Sequence, residues 1–550
     1  MPSPLNAFHS LIVRLWLLLT ALSAAGIADS VGSGIINLPG WLTMIAALLI
    51  CMLKASVFVA LLCAARGRRW ASVVVWIVVA VYALLCVVNG VCWNLYGMGI
   101  TIKMMTVMAQ TNASEVSQFL PSLWSNLVRL ATSPWLICAV AVLGLALWGC
   151  RVVKWRAFRM VAIASSVAGV IVAILIIAGL PSGRVSLSVF GKTAKAVISA
   201  RREKARIDEL LSHKRELPYR ATVGSTMDAD IIIVVGESAS RGHLSVYGYP
   251  LDTTPRLRAM ADSIVIFQDA LGSSTTTAFN MNRIFTFLTD RQPAEEWLRS
   301  PSLFDVLAAT DYHTAWISNQ EMSGTWSNNI VALVRNADRV EFVGNTSSDD
   351  ATLKRFDELT LAPLQEFLSS TPGPAISGVH LIGSHMRYRQ RYPAEYDYFT
   401  VDSVKRAVRR PDLTDSQALT IAQYDNSIRY TDFILARIID MAARRGRPTV
   451  VVYFSDHGEN VFDDGDFHGR DRAHVEVPFI VYANPAYRRD RSATLSRIVS
   501  AARRPLSTAN VIHTILSLTG TSYRLYADSL DVISPAFNPR GRMIDDAPAP

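Results

Sequence analysis

Apolar and polar positions follow two different rules along this chain, and the change falls near residue 181. Before it, long apolar runs recur: residues 11–28, 42–63, 70–92, 134–150 and 160–180 each approach the roughly 20 apolar residues that a membrane-crossing helix needs. The fourth is the shortest. From residue 228 onward, short apolar runs alternate with helix-length segments such as 303–310 and 415–443. The runs are "DIIIVVG" at 230–236, "HTAWIS" at 313–318, "SGVHLIG" at 377–383, "TVVVYFS" at 449–455 and "PFIVYA" at 478–483. Continuous apolar strands of this length fit a parallel sheet covered on both faces. The pattern predicts a membrane α-helical domain of five transmembrane helices over 1–181 and an α/β domain with a central, mostly parallel sheet over 228–535.

The pieces between and beyond follow from the same reading. Residues 93–133 alternate too often to cross a bilayer, and either lie along its face or form a packed loop. Residues 182–227 read as a linker whose segment "VFGKTAKAVISARREKARIDELLSHKRE" forms a basic helix suited to anionic headgroups. The tail over 536–550, "AFNPRGRMIDDAPAP", reads as disordered.

Charge fixes an orientation. Arg66, Arg68 and Arg69 lie in one loop, and Arg151, Lys154, Arg156 and Arg159 in another, whereas 29–41 has no Lys or Arg and 93–133 only Lys103 and Arg129. Basic loops stay in the cytoplasm, so five spans with an inner N-terminus put everything after residue 181 outside, which in a bacterium is the periplasm. Ala-Leu-Ser-Ala at 21–24 also resembles a signal-peptidase site, and cleavage there would leave this topology unchanged. A hydrophobic content of 51% and a mean hydropathy of +0.26 exclude an ordinary soluble enzyme. Membrane lipids are expected partners, nucleic acid is not, and a monomer is expected. All six cysteines lie in or beside the spans, so the exported domain has no disulfide and no thiolate site. A metal there must be held by carboxylate, imidazole or hydroxyl groups.

Such groups stand where an α/β sheet binds ligands, just beyond the carboxyl ends of strands. Glu237 follows the first run, His385 the third, and Asp456 with His457 the fourth. A strand-end acid is usually a helix cap and a strand-end histidine a satisfied polar group; three converging strand ends form an oxygen-rich, one-imidazole site for which Zn²⁺ and Mn²⁺ are both admissible. "LGSSTTTAFNMNRIFTFL" adds hydroxyls directly before a helical pattern, where Ser274 or Thr275 would cap the helix or a hydroxyl would serve as a nucleophile.

Taken together, "IIIVVGESASRGHLSVYGYPLDTTP", "VHLIGSHMRYRQRYP", "VVYFSDHGEN" and "FHGRDRAHVEVPFIVY" resemble the phosphoethanolamine transferases of the alkaline phosphatase and sulfatase superfamily. The nearest branch is the CptA type, which modifies a phosphorylated heptose of the lipopolysaccharide core. The resemblance covers both halves of the chain. It implies an inner-membrane enzyme that takes phosphoethanolamine from phosphatidylethanolamine, holds it on a threonine, and passes it to lipopolysaccharide. It makes Glu237, Asp456, His457 and the nucleophilic threonine ligands of one zinc ion, and puts His385 and His468 near the transferred phosphoryl group or a second metal. The threonine is one of Thr275, Thr276 and Thr277; ungapped matching from Phe267 through "TAFNMNRIFTF" selects Thr277, and Thr275 is the alternative if Gly272 sets the register.

Two departures stand out. The lipid A branch has a disulfide-rich exported domain and a lysine after the strand at 313–318, whereas "SNQEMSGTW" supplies Asn319 and Gln320 as substrate contacts and no lysine. Arg387, with Arg389 and Arg391, either faces a phosphorylated acceptor or is an ordinary solvated arginine. Rival readings are a glycerol phosphotransferase or lipid A enzyme of the same superfamily, an anchored phosphatase or sulfatase, and an inactive membrane sensor or scaffold. No C/S-x-P-S/A-R motif stands in the threonine segment, which argues against a sulfatase.

Overall fold

The computed structural model describes residues 4–25, 40–65, 67–96 and 155–179, short pieces between 193 and 223, and most of 228–548. Within that last stretch, 293, 321–324, 345–355, 411, 464–471, 540–541 and 545–546 are outside the described residues. The chain divides into two units, Met1–Arg202 and Glu203–Pro550.

In the first unit four helices are described: α1 (Pro4–Ala25), α2 (Gly40–Ala64), α3 (Arg69–Tyr96) and α4 (Trp155–Gly179). They overlie the first, second, third and fifth spans read from the sequence. Three stretches, Ile45–Ala64, Arg69–Cys92 and Trp155–Val172, are long and apolar enough to cross a membrane, and Phe8–Ala24 is a shorter apolar stretch. The expected span at 134–150 lies outside the described residues, as does 97–133. Helix α2 packs against both α1 and α4. Polar groups inside this bundle find partners on neighbouring helices, as hydrocarbon surroundings demand: Trp16 Nε1 donates to Ser56 Oγ at 2.8 Å, and Ser23 Oγ meets Tyr82 Oη at 2.8 Å.

The second unit is built on seven strands: β1 (Asp230–Gly236), β2 (Ile264–Ile266), β3 (His313–Ser318), β4 (Arg339–Phe342), β5 (Ala375–His380), β6 (Thr449–Ser455) and β7 (Phe479–Ala483). Their order across the sheet is β2-β7-β6-β1-β5-β3-β4. The strands from β6 to β4 are parallel, but β7 runs antiparallel to β6 and β2 antiparallel to β7, so the sheet is mixed. Alternate residues of β1 serve two cores: Ile231, Ile233 and Val235 pack on one side, Ile232 and Val234 on the other. This is why the run has no polar alternation. Long helix α6 (Asp415–Ala443) starts with a capping box between Thr414 and Gln417 and packs on β6. At the start of β1, buried Asp230 accepts from Arg445 Nε at 2.8 Å and Nη2 at 2.6 Å, and from the Ala375 N–H at 2.9 Å.

The tail differs from its sequence reading. Residues 542–544 are held rather than disordered: Arg542 pairs with Asp269 at 2.7 Å, Met543 N–H donates to Asp290 Oδ2 at 3.0 Å, and Ile544 is buried with Leu271 and Val475. A few apolar side chains and one ion pair suffice to dock a segment whose composition alone reads as solvated.

Candidate metal and nucleophile site

Strands β6, β1 and β5 are neighbours and parallel, so their carboxyl ends share one edge of the sheet. Glu237 leaves β1 there and Asp456 and His457 leave β6; all three are buried. The turns are tight. Ser238 adopts a left-handed φ of 57°, its amide donating to Asp456 Oδ1 at 3.2 Å, and Tyr424 of α6 anchors the same turn by donating to the Ser238 carbonyl at 2.7 Å. Gly383, at φ +49°, lies so close that a Cβ would sit 2.8 Å from the Glu237 backbone N and O. Asp357 holds this turn, accepting from the Ile382 and Gly383 amides at 2.8 and 2.9 Å.

The hydroxyl comes from helix α5 (Thr277–Ile284). Thr277 Oγ1 donates to Glu237 Oε1 at 2.9 Å and stands 3.4 Å from His457 Nε2. Thr276, rather than Ser274 or Thr275, occupies the N-cap position; it makes no side-chain cap hydrogen bond, and its hydroxyl meets Ser274 Oγ at 3.3 Å. Asn280, one turn into the helix, ties the preceding loop down. Its Oδ1 accepts from Ser273 Oγ and from the Ser274 N–H, both at 3.0 Å, and its Nδ2 donates to the Ser274 carbonyl at 2.6 Å.

These donors fit a tetrahedral cation. His457 Nε2 lies 3.3 Å from Glu237 Oε1 and 3.6 Å from Asp456 Oδ2, and tetrahedral bonds of about 2.0–2.1 Å would separate ligand atoms by roughly 3.3–3.5 Å. Asp456 Oδ2 is buried with no hydrogen-bond partner among the described residues. His457 Nδ1 donates to the Gly458 carbonyl at 2.6 Å, which directs Nε2 to the cluster, where a metal ion would take the place of its proton. The electrostatics point the same way. Burial and the charge of Glu237 push Asp456 up to about 7. Burial would raise Glu237 too, but the hydrogen bond and charge of His457 outweigh it and bring it down to about 2. Burial lowers His457, yet Asp456 and Glu237 together lift it to about 10. A buried acidic pair that draws a proton onto its neighbouring imidazole is a place that wants a cation.

The other expected residues are placed unequally. Gln320 reaches the cluster, donating from Nε2 to Glu237 Oε2 at 3.3 Å. Asn319 is turned away, its amide donating to Asp357 Oδ1 at 2.9 Å, so its contact is with the turn. His385 is half-buried on the turn after β5, where Arg391 Nε donates to its carbonyl at 3.0 Å and Arg391 Nη2 stands 3.5 Å from its Nδ1. Arg387 is half-buried, at a left-handed φ of 64° before the 3-10 turn Tyr388–Gln390. His468 lies outside the described residues. Sequence reading missed Asp357 and Asn280, which work on the backbone of neighbouring loops. Asn280 left one trace, a polar residue three positions after Thr277 on a face that is buried.

Residues 229–521, more than half of the chain, match the Sulfatase family model. The chain belongs to the sulfatase family. Among its curated relatives is phosphoethanolamine transferase EptC of Escherichia coli K12, 26% identical over 510 residues that cover 86% of this chain and 83% of that one. Among solved structures, the C-terminal periplasmic domain of EptC from Escherichia coli in complex with Zn superposes with a TM-score of 0.55 at 27% identity, covering 60% of this chain and 94% of that one. The integral membrane protein EptA from Neisseria meningitidis shares the fold over 97% of this chain and 98% of its own, with a TM-score of 0.60 and 20% identity. The resemblance read from the motifs is therefore borne out at the level of the family and of relatives named as phosphoethanolamine transferases.

Proposed function

We propose that this protein is a zinc-dependent phosphoethanolamine transferase of the bacterial inner membrane, acting from the periplasmic side. Phosphatidylethanolamine is its donor and a phosphorylated heptose of the lipopolysaccharide core its acceptor. The observation that carries this reading is the Thr277 hydroxyl, 2.9 Å from Glu237 and 3.4 Å from His457 at the first position of α5. Relatives named as phosphoethanolamine transferases and a Zn-bound neighbour of similar fold support it.

Glu237, Asp456, His457 and Thr277 would hold the zinc, which supplies positive charge that lowers the pKa of a bound hydroxyl. Thr277 Oγ1 attacks the donor's phosphorus; the new P–Oγ1 bond forms as the bond to the glyceryl oxygen breaks and diacylglycerol leaves. Glu237 already accepts the Thr277 hydrogen bond, which holds Oγ1 at the cluster. An acceptor oxygen then attacks the same phosphorus, the P–Oγ1 bond breaks, and Thr277 is restored. The N–H groups of the first turn of α5, where Thr277 stands, face developing phosphoryl charge. His385, and His468 by resemblance, stabilise the leaving and entering oxygens, and Arg387 meets the phosphorylated acceptor. Four described apolar helices on the same chain tether the reaction to the bilayer that stores the donor.

Mass spectrometry of lipopolysaccharide from cells with and without the gene tests the proposal. The core oligosaccharide should lose one phosphoethanolamine when the gene is deleted and regain it on complementation. An unchanged core and a changed lipid A would move the acceptor; no change in either would overturn the function.

A further inference from the structure

Gln320 reads from sequence as a substrate contact, yet both hydrogens of its amide are directed to protein acceptors: Nε2 donates to Glu237 Oε2 at 3.3 Å and to the Leu381 carbonyl at 3.2 Å. We infer that Gln320 is a positioning residue for the metal ligand Glu237, the near end of a polar chain Glu237–Gln320–Ser318–His380 that fixes which carboxylate oxygen faces the cation. This inference rests on the zinc-site reading above.

The chain is continuous and runs outward from Gln320, which donates toward Glu237 at one end and toward Ser318 at the other. The Gln320 backbone N–H donates to Ser318 Oγ at 3.1 Å, and Ser318 Oγ meets His380 Nδ1 at 3.2 Å. That hydroxyl accepts from Gln320 and meets His380 Nδ1, so Ser318 is held between the amide and the ring. His380 is fully buried, and its Nε2 has no hydrogen-bond partner among the described residues. A buried ring with one unpaired nitrogen is retained at a cost, and the service visible here is to orient Ser318. Glu237 thereby has its two oxygens in different employment: Oε1 accepts from Thr277 and faces His457, while Oε2 accepts from Gln320. A carboxylate held this way offers one oxygen to a cation without having to give up rotational freedom when the cation binds. Metal-ligating carboxylates are commonly held by such outer partners, and removing one typically costs about 10–100-fold in metal affinity or activity.

Positioning and substrate binding make opposite forecasts for Gln320→Leu. In the full-length protein in detergent, zinc affinity measured by competition with a chromogenic chelator should fall about 10–100-fold. At saturating zinc, KM for phosphatidylethanolamine should stay at the wild-type value and kcat should recover. A loss that added zinc rescues is not the mark of a misfolded variant. Ser318→Ala, which keeps the amide but frees its anchor, should move zinc affinity the same way by less, and serves if Gln320→Leu fails to fold. Unchanged zinc affinity with a raised KM would overturn the inference and return Gln320 to the substrate. Should Glu237→Ala itself bind zinc as tightly as wild type, the metal-site reading fails first, and this inference with it.

Discussion

Replacing Thr277 by alanine removes the one hydroxyl that stands within hydrogen-bonding distance of both Glu237 and His457 among the described contacts of the cluster, at 2.9 and 3.4 Å. The neighbouring hydroxyls are no substitute. Consecutive Cα atoms are about 3.8 Å apart, and the Thr276 hydroxyl already points to Ser274 Oγ, 3.3 Å away. The loop is pinned by three hydrogen bonds of Asn280, so a shift of register means breaking its bonds to Ser273 and Ser274. Since a misplacement of about 1 Å can cost 10²-fold, a hydroxyl displaced by a whole residue would leave Thr277→Ala at least that much slower. Thr277→Ser keeps the oxygen and loses only the methyl that restricts χ1, and should retain most activity. Thr276→Ala should do likewise. The assay has two arms: turnover of labelled phosphatidylethanolamine, and mass spectrometry of the peptide spanning 275–277 after incubation without acceptor. Phosphoethanolamine should be found on Thr277 alone. A label on Thr275, or a Thr277→Ala protein that turns over close to the wild-type rate, would refute the register and with it the geometric argument.

Three further outcomes follow from the structure. Glu237→Ala and Asp456→Ala should each lose zinc and activity while the domain stays folded, and chelation of wild type should lower its unfolding temperature, because zinc at 100 times its Kd adds roughly 2.7 kcal/mol to the folded state; a metal-free preparation with full activity would contradict this. Arg445→Met leaves buried Asp230 with the Ala375 N–H at 2.9 Å and, as its one cationic neighbour among the described residues, Arg447 Nε 3.6 Å away, so denaturant unfolding should show a loss near the lower end of the about 3–5 kcal/mol expected for breaking a buried pair. Buried His243 bridges Asp425 at 2.6 Å and Asp463 at 3.0 Å; burial lowers its pKa, but the two carboxylates lift it to about 10. A raised folded-state pKa gives stability that is complete below about 6.5, the unfolded value, and fades as pH rises through about 10, so wild type should lose stability across that window and His243→Gln should lose less; parallel curves would sink the assignment.

Legibility in the sequence tracked burial. Strands β1, β3 and β6 were readable to the residue because both faces are covered and nothing interrupts the apolar run. The run at 377–383 was read too long at its far end, since Leu381, Ile382 and Gly383 already belong to the turn that Asp357 holds. Edge strands β2 and β4 were missed: three and four residues, partly exposed and ending beside charged positions, carry too short a period to stand out. The antiparallel sense of β7 could not be read either, because an apolar run looks the same in both directions. Glu237, Asp456 and His457 were found because they follow such runs. Asn319 and Gln320 are adjacent and chemically alike, and nothing in their order says that one faces the turn and the other the cluster.

The site's position follows from the path of the chain. From β1 the strands β5, β3 and β4 extend to one side of the sheet, and β6, β7 and β2 to the other, so β1 is the strand from which connections diverge. A crevice opens at the carboxyl ends of strands where the winding reverses, and this is where open α/β sheets bind ligands. Glu237 therefore stands at the one strand end flanked by turns from both halves. Its backbone carbonyl accepts the Ser384 N–H at 2.9 Å from one side, while Ser238 N–H reaches Asp456 at 3.2 Å on the other. Movement of either half would disturb the same carboxylate. The geometry at this point depends on two turns that share no sequence, which is why residues as far apart as Gln320 and Tyr424 can both act on Glu237 or on the backbone beside it.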